Sequence, residues 1–494
     1  MIFLCGVFLF GVFILINDLT FCRFPYILLL AFKADKILLR ITMSEFTSFI
    51  SRAADKAGDE VHRRKIAKAI STYDAAVTNT KTNQFRDWQA ARHLAAAIKN
   101  YTLENLAGLL EQFEKNFTAR GGKVFWAAAA EDAADYVVQL AKDRRAKKAV
   151  KSKSMTTEEI ALNEKLERAG IEVRESDLGE LIVQLAGEKP YHIVTPAMHK
   201  SKAEISVLFQ EKLAAPPTES AEELTMIARQ HLRQDYVTAD IGITGANFII
   251  ADAGAISMTE NEGNGRLTMS CPPVHVAVAG IEKVIPRLTD LSLFLPLLAT
   301  SGTGQEITCY NSIVFGPRRN DEDDGPEEMH VILLDNGRSQ LYNRPHFREA
   351  LRCIRCGACL NACPVFRTIG GHTYNVTYQG PIGAVISPHY NGLPQFQHLA
   401  FASSLCGACS DVCPVRIDLH HLILENRVAA IRQVKQGWFW RLAMRIYAWV
   451  MHSRLRLNLT RRLMKLAQPL VLRFAKKAAP KLAAKTFAEL WKDM

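Results

Sequence analysis

Two stretches hold the residue types with the most chemistry to offer: "CIRCGACLNACP" at 353–364 and "SSLCGACSDVCP" at 403–414. The first carries Cys353, Cys356, Cys359 and Cys363; the second carries Cys406, Cys409 and Cys413. C-x2-C-x2-C-x3-C-P is the spacing by which bacterial two-cluster ferredoxins hold cubanes, three close cysteines on one cluster and the fourth on the other. Crossing the ligands in this way assigns Cys353, Cys356, Cys359 and Cys413 to a first cluster. Cys363, Cys406 and Cys409 go to a second. Small residues (Gly357, Ala358, Gly407, Ala408) let backbone N–H groups approach the sulfides, and Pro364 and Pro414 turn the chain away. Structural zinc takes four ligands from separated Cys pairs or Cys/His sets, so two triplets that each end in Cys-Pro favour iron–sulfur.

Two 4Fe–4S clusters want eight thiolates, and the motifs supply seven. Laid on the first motif, the second places Ser403 where the eighth cysteine belongs. Three outcomes follow: Ser403 ligates, Cys271 or Cys309 reaches over, or one iron is open or absent and the second cluster is site-differentiated or of the 3Fe–4S type. A bland role, Ser403 capping the helix that carries the cysteines, is favoured over ligation. The intervening loop holds His372, Tyr374, Tyr378 and His389 among glycines, as cluster contacts or as packing residues.

These residues need a scaffold. From 43 to 120 apolar residues recur at three- and four-residue intervals, in "DWQAARHLAAAIKN" and "TLENLAGLLEQFEKNF", which predicts helices with Thr102 as an N-cap. Gly121 and Gly122 then break the pattern. Between 123 and 213 short β-like runs ("KVFWAA", "KKAVKS", "IEVRES", "YHIVTPA") alternate with helical ones, as a mostly parallel sheet with crossover helices requires. Residues 240–316 read as further strands with glycine turns, and "MHVILLDNG" as the last strand.

At 494 residues, with 48% hydrophobic and 22% charged residues, the chain has a globular composition. Its formal charge of +11 is uneven: residues 437–494 hold thirteen Lys/Arg against Glu489 and Asp493, so the remainder is neutral. That tail mixes Trp438, Trp440 and Trp449 with arginines along a helical pattern, suiting an anionic membrane surface or an acidic partner. No reader motif accompanies the charge, so nucleic acid is not expected. Eleven cysteines, seven of them in two clusters, point to reduced thiols and the cytoplasm. Residues 1–16 are apolar but short of the roughly 20 that a span needs; residues 1–42 read as a start placed too early or a non-native leader, with the protein opening at Met43.

Taken together, "YVTADIGITGANFIIADAGAISMTENEGNGR", "CIRCGACLNACPVFRTIGGHTYNVTYQGPIGAV" and "SSLCGACSDVCPV" resemble the lactate utilisation iron–sulfur protein B family. The resemblance implies an α/β LUD domain, sugar-isomerase and CoA-transferase-like, over 121–340, then an α-helical ferredoxin module over 341–430, after a helical segment (43–120) and before the basic amphipathic tail (431–494). It also implies a cytoplasmic system that oxidises L-lactate to pyruvate with lactate utilisation proteins A and C. Here the chain is expected to relay single electrons, with no flavin site of its own. The rival reading gives the LUD domain its own chemistry on a small carboxylate or acyl substrate. Asn247, Asp252, Glu260, Asn261 and Glu262 would then line a pocket, with Arg266 as the fork for the carboxylate.

Overall fold

The computed structural model describes residues 36–433, 438–474 and 490–491. The apolar run at 1–16 and residues 475–489 of the tail lie outside them. Residues Thr42–Ala430 form one compact unit, and the described parts of Met1–Ile41 and Ile431–Met494 a second.

Four helices open the described residues: Lys36–Gly58, Glu60–Gln84, Trp88–Glu104 and Leu106–Thr118. Asp59 and Asp87 cap the second and third by accepting from the His62 and Ala90 N–H groups. Thr102 is not a cap. It is buried inside the third helix, where its hydroxyl donates to the Ile98 carbonyl, the back-bond that lets threonine sit in a helix interior.

Ten strands follow: β1 (Lys123–Ala127), β2 (Lys148–Lys151), β3 (Glu172–Glu175), β4 (Ile241–Gly245), β5 (Phe248–Ile250), β6 (Ala255–Glu260), β7 (Val274–Gly280), β8 (Val284–Ile285), β9 (Tyr310–Val314) and β10 (Glu328–Leu334). Six build a wholly parallel sheet in the order β1-β10-β7-β4-β2-β3. The other four form a smaller sheet in the order β8-β5-β6-β9. Alternation along β10 divides the packing: Ile332 and Leu334 face the helices Ala130–Asp143 and Leu162–Arg168 through Ala133, Val137, Ala141, Leu162 and Leu166. Met329, Val331 and Leu333 face Leu110, Phe113 and Phe117 and the small sheet. Both faces are therefore covered, as a parallel sheet demands. At Gly242 of β4 a Cβ would collide with the Thr268 carbonyl, so the helix Asn264–Ser270 lies directly on that strand.

Two expected elements differ. "YHIVTPA" is a run of bends and turns, because Tyr191 and His192 are used elsewhere: the Tyr191 hydroxyl meets His62 Nε2 at 2.8 Å, and His192 packs edge-on against Phe366. "TTEEIALNEKLERAG" breaks into Met155–Glu159 and Leu162–Arg168 at Ala161, whose φ is +50°.

Beyond β10 the chain is helical and carries both cysteine motifs, ending the unit in Leu419–Gln433. This region is not a bead on a tether. Its Leu360, Phe366, Val385 and Ile423 share one core with Phe49, Ile66, Ile70, Tyr191, Phe248, Phe294 and Leu297 from the preceding segments.

In the other unit, helices Trp438–Met451 and Arg454–Phe474 pack on each other, with Arg456 4.4 Å above the Trp449 ring. Leu442, Ile446 and Trp449 on one, and Leu455, Leu459 and Leu463 on the other, are exposed at helical spacing. The side chains of Trp438 and Trp440 lie outside the described residues. Among the described residues no helix is long and apolar enough to cross a membrane.

Candidate metal centre

The two motifs repeat each other in backbone detail. Arg355 (φ +62°) and Gly357 (φ +81°) precede the helix Ala358–Ala362, as Leu405 (φ +55°) and Gly407 (φ +85°) precede Ala408–Val412. Left-handed Arg and Leu are costly conformations, held where a site over-determines them. The Arg355 N–H donates to Cys353 Sγ at 3.4 Å, and the Leu405 N–H donates to Ser403 Oγ at 3.1 Å. Ser403 thus stands in the second motif as Cys353 stands in the first. It does not cap the cysteine-bearing helix, whose cap position is Gly407. The last cysteines match as well: Cys363 Sγ accepts from the Phe366 N–H at 3.5 Å and Cys413 Sγ from the Ile417 N–H at 3.3 Å. Cys271 and Cys309, the other suppliers considered for an eighth ligand, are exposed on the α/β region.

The sulfurs fall into the crossed groups. Burial, and after it mutual repulsion, raises the thiol pKa values: Cys353 and Cys413 act on Cys356 and Cys359. Cys406 acts on Cys363, and Cys363 and Cys406 act on Cys409, which is pushed up to about 12. Cys353, Cys356, Cys359 and Cys413 line a common small cavity, walled by Ile193, Ile382, Val415 and Leu419. Four convergent thiols in an apolar cradle fit an iron–sulfur cluster. Because the ligands must be thiolates, loading such a site releases their protons. Tyr374 is buried between the groups, with Cys363 and Cys359 both raising the pKa of its hydroxyl after burial. The helix Trp88–Glu104 clamps the second motif: Arg92 donates from Nε to the Cys413 carbonyl at 2.9 Å and from Nη2 to the Ser410 carbonyl at 3.2 Å.

A second cavity, about 740 Å³, lies beside the first. Ser152 and Lys153 after β2, Asp177 after β3, Ala246 and Asn247 after β4, and Lys283 after β7 place it off the carboxyl ends of the parallel strands. The strand order reverses between β2 and β4, the switch point at which α/β sheets bind ligands. Its far wall is the first cysteine motif, through Arg355 and Cys356, with Tyr378 from the loop that follows. Cys356 and Arg355 line both cavities.

Glu260, Asn261 and Glu262 line this cavity, as does Asn247. Glu260 accepts from the Gly265 and Arg266 N–H groups at 2.5 and 2.7 Å. Glu262 is an exposed residue whose carboxylate turns inward to the Leu178 N–H; lost water there, and then Asp177, raise its pKa. Arg266 and Asp252 do not line it. The Arg266 guanidinium lies 5.1 Å above the Tyr310 ring, and Asp252 accepts from the Leu288 N–H at 2.9 Å. The cations present are instead Lys153, Lys283 and Arg355. Burial, and then Arg355, lowers the Lys283 pKa to about 8. Behind them Arg338, fully buried, donates from Nη1 and Nη2 to Glu159 at 2.8 Å each and from Nε to Glu282 at 2.5 Å. Glu282 in turn accepts from Arg355 Nη2 at 3.1 Å, and Tyr378 donates to Glu159 at 2.7 Å.

The LUD domain family matches residues 110–334 and the 4Fe-4S dicluster domain family residues 349–417. The protein is therefore a parallel-sheet LUD domain joined to a helical dicluster domain, and it is an iron–sulfur protein. Lactate utilization protein B of Bacillus cytotoxicus is 44% identical over 385 residues, 77% of this chain and 80% of that protein. Lactate utilization protein B 2 of Bacillus mycoides is also 44% identical over the same shares, and the Bacillus thuringiensis protein 43%. The chain belongs to the lactate utilization protein B family.

Proposed function

We propose that this chain is the iron–sulfur electron-transfer subunit of a multi-subunit system that oxidises L-lactate to pyruvate. Cys353, Cys356, Cys359 and Cys413 hold the first cluster. Cys363, Cys406 and Cys409 hold the second, with Ser403 at the eighth position; both are of 4Fe–4S type, the second site-differentiated. The crossed grouping of sulfurs from two motifs is the observation that carries this reading. It brings the two sulfur groups together around Tyr374, as a relay needs. Lactate gives up two electrons and a cubane passes one, so adjacent clusters join a two-electron site to a single-electron acceptor. Lactate utilisation proteins A and C are the partners and the cytoplasm the compartment, with 121–340 and 341–430 as the two working domains. A strain lacking this gene, with no other lactate dehydrogenase, should not grow on L-lactate as sole carbon source. Wild type should restore growth and Cys356→Ala should not. Normal growth of the deleted strain overturns the assignment.

The exposed stripes Leu442–Ile446–Trp449 and Leu455–Leu459–Leu463, with Arg441, Arg445, Arg461 and Arg462 on the same two helices, support a peripheral position on an anionic membrane face. The full chain should float with phosphatidylglycerol vesicles at low salt, be released as salt rises, and ignore phosphatidylcholine. Trp449→Ser with Leu455→Ser should weaken flotation. Absence of flotation on either lipid removes the membrane placement and leaves the relay standing.

A further inference from the structure

We propose that the 740 Å³ cavity is a binding site for a small 2-hydroxy or 2-oxo carboxylate, held by Arg355 and Lys283 against the edge of the first cluster. The inference rests on the lactate-oxidising reading for the kind of acid and on the structure for the site.

The cavity has the size of small-molecule sites, about 300–1,000 Å³, and a three-carbon acid fills only part of it. Its polar groups are divided. On the wall formed by the cysteine motif, Arg355 is 9% exposed and spends only Nη2 on Glu282. Its Nε and Nη1 are buried and have no hydrogen-bond partner. Unpaired buried donors cost free energy and are rare in native proteins. Nε–H and Nη1–H leave opposite edges of the guanidinium, so a carboxylate takes one of them in a single charge-assisted hydrogen bond, with Lys283 as its second cation. The Tyr378 ring, 4.3 Å from the guanidinium carbon, fixes the guanidinium plane.

Charge bookkeeping gives the sign. Glu159 and Glu282 balance Arg338 and Arg355 through the ion pairs that join them. Lys283 is left over: 8% exposed, it makes no hydrogen bond or ion pair among the described residues. Lys99, its Nζ on the Glu282 and Val284 carbonyls, is a second buried cation without a carboxylate behind this wall, and the carboxylates of Asp177, Glu260 and Glu262 stand across the space, so this wall is the one that suits an anion. Lys153 adds a further cation on the same wall of loops, its Nζ tethered to the Val194 carbonyl at 2.6 Å. Across the space Asp177, Glu260, Glu262 and Asn264 offer acceptors for a hydroxyl. A bare inorganic anion has no use for that second wall; a hydroxy acid does.

The cluster itself, bound to four thiolates, is a competing anion for Lys283 and Arg355, so the test separates the two roles. The full chain, reconstituted anaerobically and reduced, is titrated with L-lactate, pyruvate and, at matched ionic strength, chloride. Binding is read by calorimetry and by the EPR signal of the first cluster. L-Lactate or pyruvate should bind saturably and alter that signal while chloride does not. Lys283→Met should weaken binding about tenfold or more with iron content unchanged, and Glu262→Gln should separate L-lactate from pyruvate by weakening the hydroxy acid more. No saturable binding of either acid, an equal response to chloride, or Lys283→Met that shifts the cluster signal without changing acid affinity overturns the proposal. A chain that holds both clusters and supports growth but binds neither acid loses this site alone. A chain that binds the acids yet is dispensable for growth keeps the site and loses the relay.

Discussion

Cys363→Ala should empty the second cluster although it lies in the first motif, and Cys413→Ala should empty the first although it lies in the second. Cys413 shares the small cavity with Cys353, Cys356 and Cys359, whereas the thiols that act on Cys363 and Cys409 include Cys406. After anaerobic reconstitution each variant should hold about half of the wild-type iron, which is about eight atoms if both clusters are cubanes. The surviving EPR signal identifies which was lost: Cys363→Ala should match Cys409→Ala, and Cys413→Ala should match Cys356→Ala. Pairing by motif instead of across motifs would refute the ligand sets. Ser403→Ala should change only the second signal, because the Leu405 N–H presents Ser403 Oγ as the Arg355 N–H presents Cys353 Sγ. Cys271→Ser and Cys309→Ser should change neither. A wild-type count of about seven irons with an oxidised three-iron signal would remove Ser403 as a ligand.

What the sequence discloses here is short-range. The convergence of Cys353, Cys356 and Cys359 is legible because that turn is written within a few residues, whereas Cys413 joins them only through the docking of the second motif. The strands at 123, 148 and 172 show because each β-like run is followed by a helical pattern of crossover length. "YHIVTPA" misleads because aromatic and β-branched residues mark burial, and here Tyr191 is buried by His62 and Phe366 from outside the sheet. Ser403 as a cap is a sound local guess, undone by a helix whose cap position is Gly407, four residues further on. The cations of the larger cavity were least legible. Arg266 sits in the glycine-rich turn that attracts attention, yet it leans on Tyr310. Lys283 lies in an apolar run, "GIEKVI", with nothing local to distinguish it, and Arg355 hides inside a motif read for its cysteines. Only the docking of the cysteine module onto the ends of β4 and β7 brings them together.

The second large effect is on stability, at Arg338. It is wholly buried, bidentate on Glu159 and bonded to Glu282. Arg338→Met keeps much of the volume and leaves two buried carboxylates short of a cation, a change that costs about 3–5 kcal/mol. The pH dependence follows from Glu282. Burial alone would raise its pKa, but Arg338 and then Arg355 overcome burial and hold it at about 2. A carboxylate depressed from about 4.3 in the unfolded chain stabilises the fold above that value and loses its contribution as pH falls toward 2. Without Arg338 burial gains ground, so the variant's carboxylates take up protons at higher pH than in wild type, and each proton relieves the unpaired charge. Denaturation midpoints of wild type and Arg338→Met, compared at pH 7 and pH 5, should therefore differ most at pH 7. A gap that is small at both, or that widens on acidification, would mean that the Glu159–Arg338–Glu282 chain is not what ties the sheet to the first cysteine loop. If the gap behaves as expected, the same variant should also weaken the first cluster, because Glu282 then loses the partner that positions it against Arg355, two residues from Cys353.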